Sequence, residues 1–213
     1  MKRVFCLIAL AAGATAPAVA QLFGMPVWNS PKGGTGITLS GDYGKPNNNA
    51  GSGSAIGARG TVGLGTLSLT AGLSSYNPPG AANTAMSLGG NAAFRVIGGA
   101  LLPVNLNLLV GGARTTSDSS PSLTTIVAGA GASVSMPTPG ISIEPYLSLT
   151  NRWYKASGIS GTESNFGWTI GANLSLGMIG AHIAYDSEGR GGGTTGGILG
   201  IGAHVALRVP LGM

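Results

Sequence analysis

The chain contains few cysteine, charged and aromatic residues, and these shortages exclude several classes of protein. Cys6 is the only cysteine among the 213 residues, so no disulfide bond can form within the chain. Charged residues make up 8% of the sequence, which is too few for the surface of an ordinary soluble domain. The eleven basic residues are scattered singly, without interleaved aromatic residues, and this pattern excludes a nucleic-acid-binding surface.

Long hydrophobic runs are also missing after residue 21. A transmembrane helix needs about 20 consecutive apolar residues, and no stretch of the remaining sequence is that long. The chain instead carries 39 glycines and 12 prolines, a share that approaches the range of low-complexity sequences. A regular alternation of apolar and polar residues argues against disorder.

That alternation recurs in ten stretches, each with a period of two. In the last stretch, GILGIGAHVALRVPL, Leu199, Ile201 and Val205 fall on one side, and His204 and Arg208 fall on the other. Successive side chains of a strand point to opposite faces, so each stretch predicts a strand with one apolar face. The predicted strands are 35–44, 55–65, 66–76, 85–97, 103–114, 123–136, 141–154, 164–176, 178–187 and 196–210.

Ten two-faced strands with hardly any helical pattern predict an all-β fold, a transmembrane up-and-down antiparallel β-barrel of about ten strands. The apolar face of each strand is expected to contact lipid, and the polar face is expected to line the lumen. Eight strands are the alternative if one hairpin is over-interpreted. A soluble β-sandwich is the alternative outside a membrane.

The first 20 residues predict an export signal. Lys2 and Arg3 precede an apolar run over 4–14, and a small-residue site ends at Ala20, where cleavage is expected. The chain is thus divided into a signal peptide (1–20), a periplasmic N-terminal lead-in (21–34) and a barrel domain (35–213). Such a barrel is expected in the outer membrane of a Gram-negative bacterium.

The connections and the aromatic residues predict the orientation. Connections after even-numbered strands are tight and those after odd-numbered strands are longer and polar, which is typical of short periplasmic turns and long extracellular loops. Outward-facing aromatic residues gather near the long-loop ends, where a girdle at the membrane interface is expected. The predicted girdle comprises Tyr43, Trp153, Phe166, Trp168 and Tyr185.

Stretches such as LPVNLNLLVGGAR and GILGIGAHVALRVPL resemble those of the small bacterial outer-membrane β-barrel proteins, the opacity-protein and OmpX/OmpA-barrel grouping. The resemblance is architectural and covers residues 35–213, with no diagnostic motif. It implies outer-membrane lipid and lipopolysaccharide as surroundings, and the barrel-assembly machinery as a partner during biogenesis. Such proteins usually end in an aromatic residue, whereas this chain ends in Met213. The oligomeric state stays open.

Nearly all charged strand residues share the face of the small and polar ones, which predicts that they line the lumen. Glu144 is expected to be satisfied by Arg95 or Arg208. Arg114 is out of phase with this face, and a bulge at Gly111-Gly112 would account for it. The predicted luminal set is Asp42, Arg59, Arg95, Glu144, Arg152, His182, Asp186, His204 and Arg208.

Three functions remain open for such a barrel. The first is a structural or surface role with at most limited passage of small solutes, because barrels of this size are nearly filled by their own side chains. The second is a narrow porin-like channel, since many inward positions are glycine. The third is an adhesin or partner-binding barrel that uses its extracellular loops.

No catalytic residue, cofactor site or metal site is predicted. Two histidines, His182 and His204, are expected within a rung or two of each other, but no third metal ligand is evident. His182 and Asp186 are separated by about 13 Å along an extended strand at about 3.3 Å per residue, which is too far for a catalytic pair.

Overall fold

The alternating stretches form strands in the computed structural model, which describes residues 22–80, 83–99, 102–118 and 120–207. The predicted signal peptide, Arg208 and Met213 lie outside the described residues. No helix among the described residues is long and apolar enough to cross a membrane. Two short 3₁₀ turns, Asn48–Ala50 and Gly191–Gly193, interrupt the connections.

The strands match the predicted ones closely, and most are longer by a few residues. A short strand, β7, continues β6 beyond Ser135, and both pair with β8, so ten strands span the wall. The strands are β1 (Gly34–Pro46), β2 (Ser54–Gly65), β3 (Leu67–Asn77), β4 (Ala85–Gly99), β5 (Leu102–Ser117), β6 (Ser120–Val134), β7 (Met136–Thr138), β8 (Ile141–Ala156), β9 (Glu163–Leu176), β10 (Ile179–Gly189) and β11 (Thr195–Leu207).

The sheet closes on itself. Each spanning strand is antiparallel to the next along the chain, and β1 pairs with β11, with Ile37 opposite Leu207. Because this ring leaves none of the ten strands as a free edge, the backbone donors and acceptors of the wall pair with neighbouring strands. The predicted ten-stranded barrel is confirmed, and the eight-stranded alternative is wrong.

The two faces of the wall are inverted relative to a soluble protein. Large apolar side chains point outward and are exposed, as for Ile56 (61%) and Leu88 (68%), whereas inward charged groups such as Glu144 are 5% exposed. A soluble β-sandwich would bury the apolar face instead. The barrel therefore presents an apolar belt to its surroundings, as a membrane barrel does.

Tight turns join the strands at one end of the barrel. Leu64 pairs with Leu67 across Gly65-Thr66, and Leu176 pairs with Ile179 across Gly177-Met178. Gly65 has φ +82° and Gly177 has φ +64°, a left-handed backbone that favours glycine in two-residue hairpin turns. The opposite end carries longer connections, as the sequence predicts, except between β5 and β6. There the strands extend until Ser117 pairs with Ser120, so the longer connection predicted between them is wrong.

Residues 22–33 lie inside the barrel and not beside it. We call them the plug segment. The sequence predicts a periplasmic lead-in here, but residues 22–29 are all buried by the inner wall, and Ser30 and Lys32 are exposed at the short-turn end. The segment then continues into β1 at Gly34.

Arg114 points outward in a regular strand. The pairing of β4 with β5 is unbroken from Arg114 to Asn107, so the predicted bulge at Gly111-Gly112 is wrong. The register shifts between these strands lie instead between Arg95 and Gly99, near the short-turn end. Arg114 is thus a genuine outward-facing cation at the long-loop end of β5.

Candidate functional site

The plug segment begins with a tight turn near the long-loop end of the lumen. Met25 N donates to Leu22 O at 3.1 Å, and Gly24 has φ +78°, a conformation that glycine adopts at little cost. A β-carbon on Gly24 would lie 2.7 Å from Ala55 Cβ, so the turn lies directly against the wall. Phe23 packs edge-on against Tyr76, with ring centroids 5.0 Å apart.

Two consecutive plug residues reach opposite sides of the wall. Trp28 contacts His182 of β10, with ring centroids 4.6 Å apart, and the Arg59 guanidinium of β2 lies 5.4 Å from the centroid of the Trp28 ring. Asn29 exchanges hydrogen bonds with Asn107 of β5, and its Nδ2 also donates to Ser148 Oγ of β8 at 3.3 Å. The segment therefore spans the lumen at this level.

Glu144 of β8 holds the lower end of the plug segment. Its carboxylate accepts hydrogen bonds from Ser30 Oγ (2.8 Å) and Lys32 N (2.9 Å) of the plug, and from Ser133 and Asn173 of the wall. Of the two predicted partners of Glu144, Arg95 instead donates to Lys32 O, and Arg208 lies outside the described residues. Glu144 and Arg95 of the wall thus both form a hydrogen bond with the backbone of Lys32 in the plug.

Inward glycines make room for the plug segment. A β-carbon on Gly200 would lie 2.5 Å from Pro26 Cγ, and one on Gly131 would lie 2.5 Å from Asn29 Nδ2. Both distances are shorter than van der Waals contact, so a larger residue at either position would collide with the plug. From the sequence these glycines are expected to leave room for a narrow channel, whereas in the structure the plug segment occupies that room.

A charged cluster lies beside Trp28 in the middle of the lumen. Asp42 of β1 accepts from Arg59 Nε at 2.7 Å, and its other oxygen lies 2.6 Å from His182 Nε2. His182 Nδ1 lies 3.2 Å from His204 Nδ1, in agreement with the predicted proximity of the two rings. Asp42 and not Asp186 is the carboxylate partner of His182.

The mid-lumen cluster combines two imidazoles with one carboxylate and one guanidinium. Among the described residues, no serine or threonine hydroxyl is hydrogen-bonded to either imidazole. No group of three or more histidine, cysteine, aspartate or glutamate residues within the described ranges is arranged to hold a metal ion. The cluster instead braces β1, β2 and β10 against the Trp28 ring.

A second charged cluster lies near the long-loop end. Arg152 of β8 is fully buried and donates to both Asp186 oxygens at 2.8 Å and to Glu188 Oε2 at 2.8 Å. Tyr154 also donates to Glu188, at 2.6 Å. Arg152 and Asp186 are predicted from the sequence as luminal residues, but Glu188 is not, because the predicted strand ends at residue 187.

The outer surface carries the predicted aromatic residues at the long-loop end. Trp168 and Tyr185 pack together with ring centroids 5.9 Å apart, and Tyr43 and Phe166 are exposed. Trp153 pairs directly with the outward-facing Ile126 and therefore shares its face. These positions are the ones that an interfacial girdle would occupy, and the girdle itself stays a prediction.

The structure gathers the predicted luminal residues into three groups inside the wall. Asp42, Arg59, His182 and His204 form the middle group, Arg152 and Asp186 the upper one, and Glu144 and Arg95 the lower one. The plug residues that link these groups are not predicted from the sequence, since 22–29 shows neither a strand nor a helix pattern.

Comparison with known proteins shows the fold. No family model and no curated protein matches the chain. The β-domain of the Bordetella autotransporter BrkA superposes with a TM-score of 0.54 at 12% identity, covering 81% of this chain and 99% of that one. The chain thus has the fold of an outer-membrane β-barrel.

Two other solved barrels are less similar. A bacterial polysaccharide outer membrane secretin gives a TM-score of 0.49 at 13% identity over 74% of this chain, which spans 57% of the secretin chain. The outer membrane enzyme PagL gives 0.45 at 8% identity, covering 80% of this chain and 99% of its own.

Proposed function

We propose that this chain is an outer-membrane barrel closed by its own plug segment, with a structural or surface role and at most limited passage of small solutes. One observation carries the proposal. Trp28 and Asn29 together contact β2, β5, β8 and β10, so neighbouring plug residues touch opposite walls. A hydrated solute has no clear passage between them.

The size of the barrel supports the same function. Eight-stranded barrels are filled by their own side chains, and open aqueous channels are found at about sixteen strands. Ten strands leave a small lumen, and Met25 and Val27 of the plug are completely buried within it. A cavity beside Trp28 and Arg59 has about 10 Å³ of water-accessible space, which is room for about one water molecule.

The proposed location is the outer membrane of a Gram-negative bacterium, with export and cleavage after Ala20. The long connections then face the outside, in contact with lipopolysaccharide, and the short turns face the periplasm. The apolar outer face and the inward charges of the wall support this location, because a charge facing lipid at mid-bilayer costs about 2–4 kcal/mol. The barrel-assembly machinery is the proposed partner during biogenesis.

A second function, a channel that opens when the plug moves, is favoured by the way the plug is held. Plug residues 22–33 form no strand pairing with the wall. Trp28 Nε1, in the plug, and Tyr146 Oη, on the wall, are buried without a hydrogen-bond partner among the described residues. Each such group costs about 1–3 kcal/mol, so hydration of the lumen would recover part of the free energy lost on release of the plug.

Planar-bilayer recording distinguishes the two functions. The refolded mature chain, residues 21–213, is compared with a variant that lacks residues 22–33. A closed barrel predicts a silent mature chain and steady, salt-dependent openings of the deletion variant. Voltage-dependent openings of the mature chain that match those of the deletion variant would support the gated channel. Constant openings of the mature chain would contradict both.

A further inference from the structure

Arg114 and Lys155 lie in one row on the outer face of the barrel. Arg114 pairs directly with Leu88 on one side and Thr124 on the other, and Thr124 pairs with Lys155. Directly paired residues share a face, and Leu88 is 68% exposed to the outside. One strand separates the two cations, so their backbones are about 10 Å apart at about 4.8 Å per strand.

Neither of these cations has an acidic partner within the described ranges. The ion pairs among the described residues involve Arg59, Arg152 and His182, and none involves Arg114 or Lys155. Arg114 Nη2 makes one long hydrogen bond, to Ser122 Oγ at 3.4 Å. The luminal cations Arg59 and Arg152 are paired with carboxylates. Arg114 and Lys155 are not, so their positive charges are available to bind an anion.

The row lies at the upper border of the apolar belt. Below it, Val110 is 55% exposed and Ile126 is 51% exposed, and both face outward. Two residues along β5 from Arg114, Gly112 pairs with Gly90 of β4 on one side and with Ile126 of β6 on the other. Two cations without a carboxylate partner thus stand directly above a surface that suits an acyl chain.

We infer that Arg114 and Lys155 bind a phosphate of lipid A, the membrane anchor of lipopolysaccharide, with an acyl chain against the apolar belt below. The inference rests on the proposed outer-membrane location, with the long connections outside. An arginine and a lysine are the usual phosphate-binding side chains, and a phosphate that bridges them forms charge-assisted hydrogen bonds with both. A lipid phosphate also relieves the repulsion between the two cations.

Native mass spectrometry of the full mature chain in detergent, with purified lipid A, tests the site. The variants are Arg114→Gln, Lys155→Gln and the double variant, and unboiled gel migration verifies that each barrel is folded. Lys45→Gln is the matched control, because Lys45 is an outward cation at the long-loop end of β1, opposite the exposed Leu199.

Each single variant is expected to weaken lipid A binding about fivefold, and the double variant about 30-fold, since a basic side chain near a charged membrane surface contributes about 1 kcal/mol. Arg114→Lys is expected to bind within about twofold of the wild type, because it keeps the charge. Dephosphorylated lipid A is expected to bind the wild type as weakly as lipid A binds the double variant.

Equal weakening by Lys45→Gln would overturn the inference, because net charge would then explain the binding. Equal binding of dephosphorylated lipid A would overturn it as well, since the acyl chains alone would then suffice. The readout is independent of conductance, so an open lumen would contradict the proposed closed barrel without affecting this result.

Discussion

Trp28 of the plug packs edge-on against His182 of the wall, with ring centroids 4.6 Å apart and planes at 74°. Nε2 of the same imidazole lies 2.6 Å from Asp42 Oδ1, and Asp42 in turn accepts a hydrogen bond from Arg59. The Arg59 guanidinium then lies over the Trp28 ring. Trp28 of the plug therefore contacts both His182 and Arg59, and both of these residues are paired with Asp42.

Enlarging Gly200 is expected to displace the plug. In Gly200→Leu the added side chain collides with Pro26 and Trp28, since a β-carbon alone would lie 2.5 Å from Pro26 Cγ and 2.6 Å from Trp28 Cζ2. The variant should conduct in planar bilayers, as the plug-deletion variant should. Gly41→Ala is the control, because its β-carbon faces outward with no atom within 4 Å. Silent behaviour of a folded Gly200→Leu barrel would show that the plug tolerates the collision.

Removing Arg152 is expected to destabilise the barrel. Arg152→Ala leaves the Asp186 and Glu188 carboxylates, each 1% exposed, without their shared cation. Breaking a buried ion pair by removing one partner costs about 3–5 kcal/mol of the free energy of unfolding. Urea titration of the refolded protein in vesicles measures the change. Lys45→Ala, at an exposed surface position, should change the value by less than about 0.5 kcal/mol, and a similar small effect of Arg152→Ala would contradict the importance of the cluster.

Neutralising Glu144 is expected to loosen the lower end of the plug. The amide of Lys32 donates to Glu144 Oε1 at 2.9 Å, and a hydrogen bond to a charged acceptor is worth about 1 kcal/mol more than one to a neutral acceptor. In Glu144→Gln, hydrogen exchange of the Lys32 amide should therefore be about fivefold faster. Glu163→Gln, near the long-loop end, is the control and should leave this rate unchanged. An unchanged rate in Glu144→Gln would show that Glu144 does not anchor the plug.

Cysteine labelling in intact cells tests the proposed orientation. The predicted mature chain has no cysteine, so a single introduced thiol is the only target. Ser160→Cys in the exposed β8–β9 connection should react with a membrane-impermeant maleimide, whereas Pro139→Cys in the exposed β7–β8 turn should react only after permeabilisation. The reverse pattern would place the short turns outside.

The barrel itself can be predicted from the sequence because the wall is a repetitive structure. Each strand repeats the same alternation, and the tight turns at Gly65-Thr66 and Gly177-Met178 set the pairing of neighbours. The same alternation sorts Asp42, Arg59 and Glu144 to the inner face. Which inward charges meet depends on closure and register across several strands, so the pairing of Glu144 could not be obtained from sequence spacing.

The plug could not be predicted because it has no periodicity. Its residues, LFGMPVWNSPKG, resemble an unstructured connection, and their burial results from a lumen that exists only after the barrel closes. The available signal was the row of inward glycines. Gly131 and Gly200 indicate that something approaches the wall closely. In the structure Asn29 approaches Gly131, and Pro26 and Trp28 approach Gly200.

The position of the plug is tested most directly by disulfide trapping. A chain that carries Pro26→Cys and Gly200→Cys, with no other cysteine in the predicted mature region, is refolded and oxidised mildly. A plugged lumen predicts near-complete formation of a disulfide between the two introduced cysteines, detected as a faster-migrating band that reductant removes, because the two positions are in direct contact. Pairing Pro26→Cys with Gly41→Cys, which faces outward, should give no such band. Absence of the disulfide in the folded Pro26→Cys, Gly200→Cys barrel would show that residues 22–33 lie outside the lumen.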